Sequence, residues 1–219
     1  MDTILVTGHV LAGSAAVLGL SGAWLTRKGS RSHRLFGRAF AVSMALSLLL
    51  AAVVSAMTAN AFLGSIALFT AYLIHTGWRL ATVRDGRASV LDRAAAFGML
   101  AVGVAMVPYG LYLFAAVGGT GIALCVFGVF GAALAWQDLR RGLHMPVGAE
   151  RIVLHLERMG GASIATVTAL LVVNVDVEPA FVVWLAPTLL GTPLISHFTR
   201  RVRGAAGSGR AVRELDTSG

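Results

Sequence analysis

The side chains of this sequence best suited to chemistry are its six histidines: His9, His33, His75, His144, His155 and His197. Imidazole ligates haem iron and exchanges a proton near neutral pH. His75, His155 and His197 fall near the ends of apolar runs that share one side of the chain's topology. His75 lies about five residues inside the end of its run and His155 about four, so both sit roughly 6–8 Å into the apolar layer. Equal depth on two helices is what axial ligation of a haem b standing along the membrane normal requires. His75 and His155 are therefore the candidate iron ligands, and His197 could join them.

On the His155 segment, Arg158 and Met159 follow at i+3 and i+4, then Ala162 and Thr166, so these share a face while Glu157 points elsewhere. His155 and Arg158 could together hold an anion, a quinone oxygen or a haem propionate. A second basic group, His33 and Arg34 in His33-Arg34-Leu35-Phe36-Gly37-Arg38, opens an apolar run and could hold a phosphate, a lipid head group or a propionate. Plainer readings stand beside these. Residues 159–175 already make about 17 positions, the lower limit for a span, which would leave His155, Glu157 and Arg158 snorkelling at an interfacial helix start. His9 and His197 are expected to hydrogen-bond a neighbouring helix. The 33–38 motif also serves as a positive anchor.

The elements that must position these groups are apolar runs at roughly 4–25, 39–58, 61–80, 94–116, 121–137, 152–175 and 180–198. Each is close to the ~20 residues a spanning helix needs. With 57% hydrophobic and 13% charged residues and a mean hydropathy of +0.78, the chain carries more apolar surface than a soluble core of this length buries. The expected fold is all-α: a polytopic integral membrane bundle of seven transmembrane helices. Residues 1–203 form one transmembrane domain, and residues 204–219, rich in Gly and Ser, form a disordered cytoplasmic tail. Met1-Asp2-Thr3 has no basic region before the first run, which is read as a retained span rather than a cleaved signal. Cys125 is the single cysteine, which excludes an internal disulfide and a cysteine metal cage.

All 18 Lys and Arg residues fall in alternate connections, in the run ends beside them or in the tail: 26–38, 79–93, 140–158 and 200–213. The other connections carry none, and the one at 176–179 is acidic. This positive-inside pattern predicts an N-terminus outside, a cytoplasmic C-terminus and residence in a bacterial inner membrane. Trp24, Trp78 and Trp136 stand at the basic ends of their runs, where an interfacial aromatic belt belongs. The net charge of +8 is thus assigned to topology and to anionic lipid on the cytoplasmic face, not to nucleic acid. Small residues four apart (Ala12/Ala16, Ala15/Gly19, Gly128/Ala132, Gly161/Ala165/Ala169) mark packing seams, within the chain, in a homo-oligomer or with other membrane subunits. Pro187 and Pro193 interrupt the last run, as a kink or as the lining of a cavity. No HExxH, Walker loop, GxSxG or paired-carboxylate pattern occurs.

Taken together, HRLFGR at 33–38, after a span carrying His9, and HLERMGGASIATVTALLVVN from His155 resemble an uncharacterised bacterial family of predicted membrane proteins, domain of unknown function 2306. The resemblance covers most spans. It implies a helical integral membrane protein with recurring His33, Arg34, Gly37, His155 and Arg158 positions, and no activity. The residues themselves leave three functions open. The first is a b-type haem or quinone-linked redox protein, with His75 and His155 on the iron and Arg158 or Arg34 near the propionates. The second is a small-molecule or proton-coupled transporter, suggested by Pro187, Pro193 and Glu157. The third is a non-catalytic scaffold or accessory subunit.

Overall fold

The structure, a computed structural model, describes residues 3–142 and 144–216, with side chains described through residue 208. Seven helices follow one another: α1 Thr3–Leu25, α2 Arg31–Met57, α3 Ala61–Thr82, α4 Val90–Val117, α5 Thr120–Arg140, α6 Gly148–Asn174 and α7 Phe181–Asp216. Every one is long and apolar enough to cross a membrane. Most of the large apolar side chains on α1, α2 and α4 face outward, as lipid-facing helices require.

The helices run past the apolar segments at their basic ends, and local chemistry sets the extra turns. Ser30 accepts a hydrogen bond from the His33 amide, so α2 starts at Arg31 and the HRLFGR motif lies on its first turns rather than in a loop. Ser89 and Asp92 form a reciprocal capping box that starts α4 at Val90. α6 starts at Gly148, several residues before its apolar run. α7 continues through Pro187 and Pro193 to Asp216. Of the tail expected to be disordered over 204–219, residues up to Asp216 continue α7 and 217–219 lie outside the described residues.

Consecutive helices pack as hairpins: α1 on α2, α4 on α5 and α6 on α7. α3 stands among them and touches α2, α4, α5 and α6. The seams follow the small residues. A Cβ on Gly103 of α4 would lie 2.7 Å from the Gly128 carbonyl of α5, and one on Gly19 of α1 would lie 2.6 Å from the Phe40 amide of α2. Only a residue without a side chain allows that approach. Gly118 closes the α4–α5 turn at φ 84°, a backbone state that costs glycine little. On α6, Gly160 admits Ile195 of α7 and Gly161 faces Leu73 of α3. The seams at Gly19, Gly128 and Gly161 thus join helices of one chain, while Ala165 and Ala169 line a cavity.

Candidate functional site

The basic end of the bundle is built around two carboxylates. Asp138, on the last turn of α5, accepts hydrogen bonds from Arg158 Nη2 at 2.9 and 3.0 Å, from Arg141 Nη1 at 2.8 Å and from the Tyr72 hydroxyl. Arg158 is 1% exposed, and its guanidinium also stands 5.9 Å from the centre of the Tyr72 ring. Its Nε and Nη1 have no partner among the described residues. A buried charge survives only when paired, and here α3, α5 and α6 each contribute to the pairing. Arg158 thus points inward to Asp138; it does not snorkel to water.

Asp92 forms the second centre. It accepts from Arg79 Nε and Nη2 at 2.8 Å each, from the Ser89 amide at 2.7 Å and hydroxyl at 2.8 Å, and lies 3.0 Å from His75 Nε2. Tyr72, His75 and Arg79 lie at i, i+3 and i+7 on α3, so one face of that helix serves both carboxylates. A cavity of about 50 Å³ lies between the two centres, lined in part by Thr76, Arg141 and His144.

The other expected site residues lie elsewhere. His155 Nδ1 is 3.0 Å from the Gly77 carbonyl. Residues 75 and 77 project about 200° apart around α3. His75 therefore meets α4 on one side of α3 while His155 meets the opposite side, and the structure does not bring the two imidazoles to a common gap. A haem held between them does not fit this arrangement, and Arg158 turns its Nη2 to Asp138. His33 Nδ1 is 3.0 Å from the Ala23 carbonyl, and Lys28 Nζ donates to the carbonyls of Ala23 at 2.9 Å and Trp24 at 3.0 Å. Arg34 Nη1 donates to the Gly29 carbonyl at 2.7 Å. His33 and Lys28 thus satisfy the orphan carbonyls at the C-terminus of α1, where cations also suit the helix dipole. Burial of the Lys28 ammonium against α1 holds its pKa below the usual lysine value. His9 Nδ1 lies 2.9 Å from the Ser47 carbonyl, the interhelical bond expected for it. His197 stacks edge-on against Phe198.

Asp92, Asp138 and Tyr72 were not among the expected site residues. One signal was available for Asp92: Ser89-Val90-Leu91-Asp92 before an apolar run has the spacing of a capping box.

A large cavity of about 970 Å³ opens between the helices and is walled by α1, α2, α3, α5, α6 and α7. It reaches from His9, near the start of α1, to Glu157 and Thr199 at the basic end. Its walls are mainly apolar. Pro187 and Pro193 both lie in the helix that forms one of them. Glu157 lines the cavity and faces Arg203 at 3.7 Å. Comparison with protein-family models, with curated proteins and with solved structures finds no match for this chain.

Proposed function

We propose that this multi-pass membrane protein binds a lipophilic small molecule inside the bilayer, as a small-molecule transporter does. One observation carries the reading: a cavity of about 970 Å³ that runs most of the height of the bundle between six helices. Binding sites for small molecules are typically about 300–1,000 Å³, mostly apolar, and set between helices in bundles. A proline-containing helix beside such a space is a recurrent feature of membrane binding sites. A redox role through paired His75 and His155 has less support, because the two imidazoles face opposite sides of α3.

The proposed orientation puts the N-terminus outside and the basic end in the cytoplasm of a bacterial inner membrane, against anionic lipid. It is supported by contacts that gather the basic segments at one end. Arg151 donates to the Leu80 carbonyl, Arg158 reaches Asp138, and Arg203 faces Glu150 and Glu157.

The test is to fill the space. Ala165 lines the cavity on α6, and Ala165→Trp would occupy its middle. Purified wild-type protein should carry lipophilic compounds that organic extraction and mass spectrometry detect, and Ala165→Trp should lose them. An unchanged complement in a folded Ala165→Trp protein would remove this reading.

A further inference from the structure

Among the described residues, the wall of the large cavity carries a single Asp, Glu, Lys or Arg, and it is Glu157. His9 is the other titratable group of that wall and stands at the far end. Glu157 opens the stripe of α6 that faces the cavity: Gly161, Ala165, Thr168 and Val172 follow it three or four positions apart. Residues at that spacing share one face of a helix. The Glu157 side chain is 32% exposed, so it is open to a ligand rather than sealed in the packing. On α7, Ser196 and Thr199 line the same end of the cavity, and Arg203 stands one turn beyond Thr199.

The charges at this mouth do not balance. Arg203 Nη2 lies 3.7 Å from Glu157 Oε1 and 3.6 Å from Glu150 Oε1, so two carboxylates share one guanidinium nitrogen. Neither distance is that of a hydrogen bond. The other cations of α6 are turned elsewhere: Arg158 to Asp138 of α5, and Arg151 to the Leu80 carbonyl of α3. Arg200 and Arg201 of α7 form no ion pair with Glu157 among the described residues. Asp138, by comparison, takes hydrogen bonds from Arg158, Arg141 and Tyr72. Glu157 is the carboxylate of the basic end with a charge to spare, and it is the one on the cavity.

We propose that Glu157 binds the cationic end of a lipophilic ligand, an amine or quaternary ammonium group on an apolar body, and that this body lies along the cavity. The identification rests on the cavity-binding reading above and names its ligand class and its recognition residue. The ligand's cation takes Glu157 from Arg203, and Arg203 keeps Glu150. The exchange leaves each carboxylate with a cation of its own. Inside a bilayer the apolar body trades lipid contacts for protein contacts, so the charge supplies the selectivity. An anionic amphiphile would meet a carboxylate with no free counter-charge beside it, and an uncharged one would leave the surplus charge unmet.

The experiment uses the full-length protein in phosphatidylcholine vesicles with sixteen-carbon probes that carry a mid-chain diazirine: a trimethylammonium, the matching primary alcohol and the matching phosphate monoester, compared at equal vesicle-bound amounts. The ammonium probe should label peptides of α6 and α7 more strongly than the other two. Glu157→Gln keeps the shape of the side chain and removes its charge. It should lower ammonium labelling about three- to tenfold, between the worth of an exposed ion pair and of a buried one, and leave alcohol labelling unchanged, which also shows that the variant folds. Arg203→Gln removes the competing guanidinium and should raise ammonium labelling about two- to threefold. Equal labelling by ammonium and alcohol, ammonium labelling that ignores Glu157→Gln or falls in Arg203→Gln, or preference for the phosphate ester would overturn the proposal. Those outcomes leave the cavity reading standing if Ala165→Trp abolishes alcohol labelling. Labelling that ignores Ala165→Trp defeats the cavity reading itself.

Discussion

At the basic end of the bundle, Asp138 takes hydrogen bonds from Tyr72, Arg141 and Arg158, and Asp92 takes them from Arg79 and Ser89 and meets His75. About 15 Å along α6 from Arg158, Thr168 keeps a buried hydroxyl with no partner among the described residues. Both regions bury polar groups among apolar helices. In the first, each carboxylate has three partners drawn from several helices, so its charges hold loops and helix ends in place. In the second, the helix could have satisfied Thr168 through its own backbone, as it does Thr166, and does not. A satisfied buried group describes architecture. An unsatisfied one shows where the fold leaves a hydrogen bond unmade. Arg158 combines both: Nη2 is fixed on Asp138, while Nε and Nη1 rely on the Tyr72 ring.

The strongest way to break this contrast is at Asp138. Asp138→Leu leaves Arg158 buried without its counter-ion, a change that typically costs about 3–5 kcal/mol. Loss of most folded protein in detergent, read as a large fall in Tm, is the expected outcome. The double variant Asp138→Leu/Arg158→Met removes both charges and should recover most of that loss, since a buried pair contributes less than its broken half costs. If the double variant were no more stable than Asp138→Leu, the pair would not be the element that fixes α5 to α6.

Next in size comes the α4–α5 seam. Gly103→Leu would push a side chain onto the Gly128 carbonyl and the Ala132 amide of α5, both 2.7 Å from its Cβ. Overpacking of this kind costs about 1–3 kcal/mol. The seam lies away from the cavity lining, so stability should fall while lipophile retention by the remaining folded protein stays at the wild-type level.

How far these regions could be read from the sequence follows the same division. The helices were legible because each is an apolar run of spanning length, and the small-residue seams were legible because their spacing is local. The start of α2 was misplaced because Ser30, inside a basic connection, caps it. Counting residues predicts equal depth for His75 and His155, but which way each faces depends on which neighbours surround α3. A difference of two positions on that helix, between His75 and Gly77, reverses the conclusion. Asp138 and Arg158 lie twenty residues apart, and nothing in their local sequence announces the pair. The unsatisfied state of Thr168 is invisible in principle: Thr166 and Thr168 read alike as letters, and only their surroundings differ.

Asp92→Asn gives a smaller effect that sharpens the reading of the basic end. Asparagine keeps a cap acceptor for Ser89 but loses the charge that receives Arg79 Nε and Nη2. Its partner Arg79 is a quarter exposed, so the expected loss is about 1 kcal/mol, between a surface pair and a buried one. The folded fraction should remain high, and the loss should shrink in high salt, which screens exposed pairs. A loss as large as that of Asp138→Leu would mean that the two pairs are not graded by the burial of their arginines, 25% exposed for Arg79 and 1% for Arg158.

The smallest predicted effect separates the two threonines that the sequence cannot tell apart. Thr166→Val removes a hydroxyl that donates to the Ala162 carbonyl at 2.8 Å, and the empty protein should lose about 0.5–1 kcal/mol. Thr168→Val removes a hydroxyl with no partner, and the empty protein should be unchanged or gain up to about 1 kcal/mol. Delipidated protein in a short-chain detergent, followed by thermal unfolding, measures both. If Thr168→Val destabilised the empty protein as much as Thr166→Val does, its hydroxyl would already have a partner inside the fold, and the contrast between the charged end and the cavity would lose its second member.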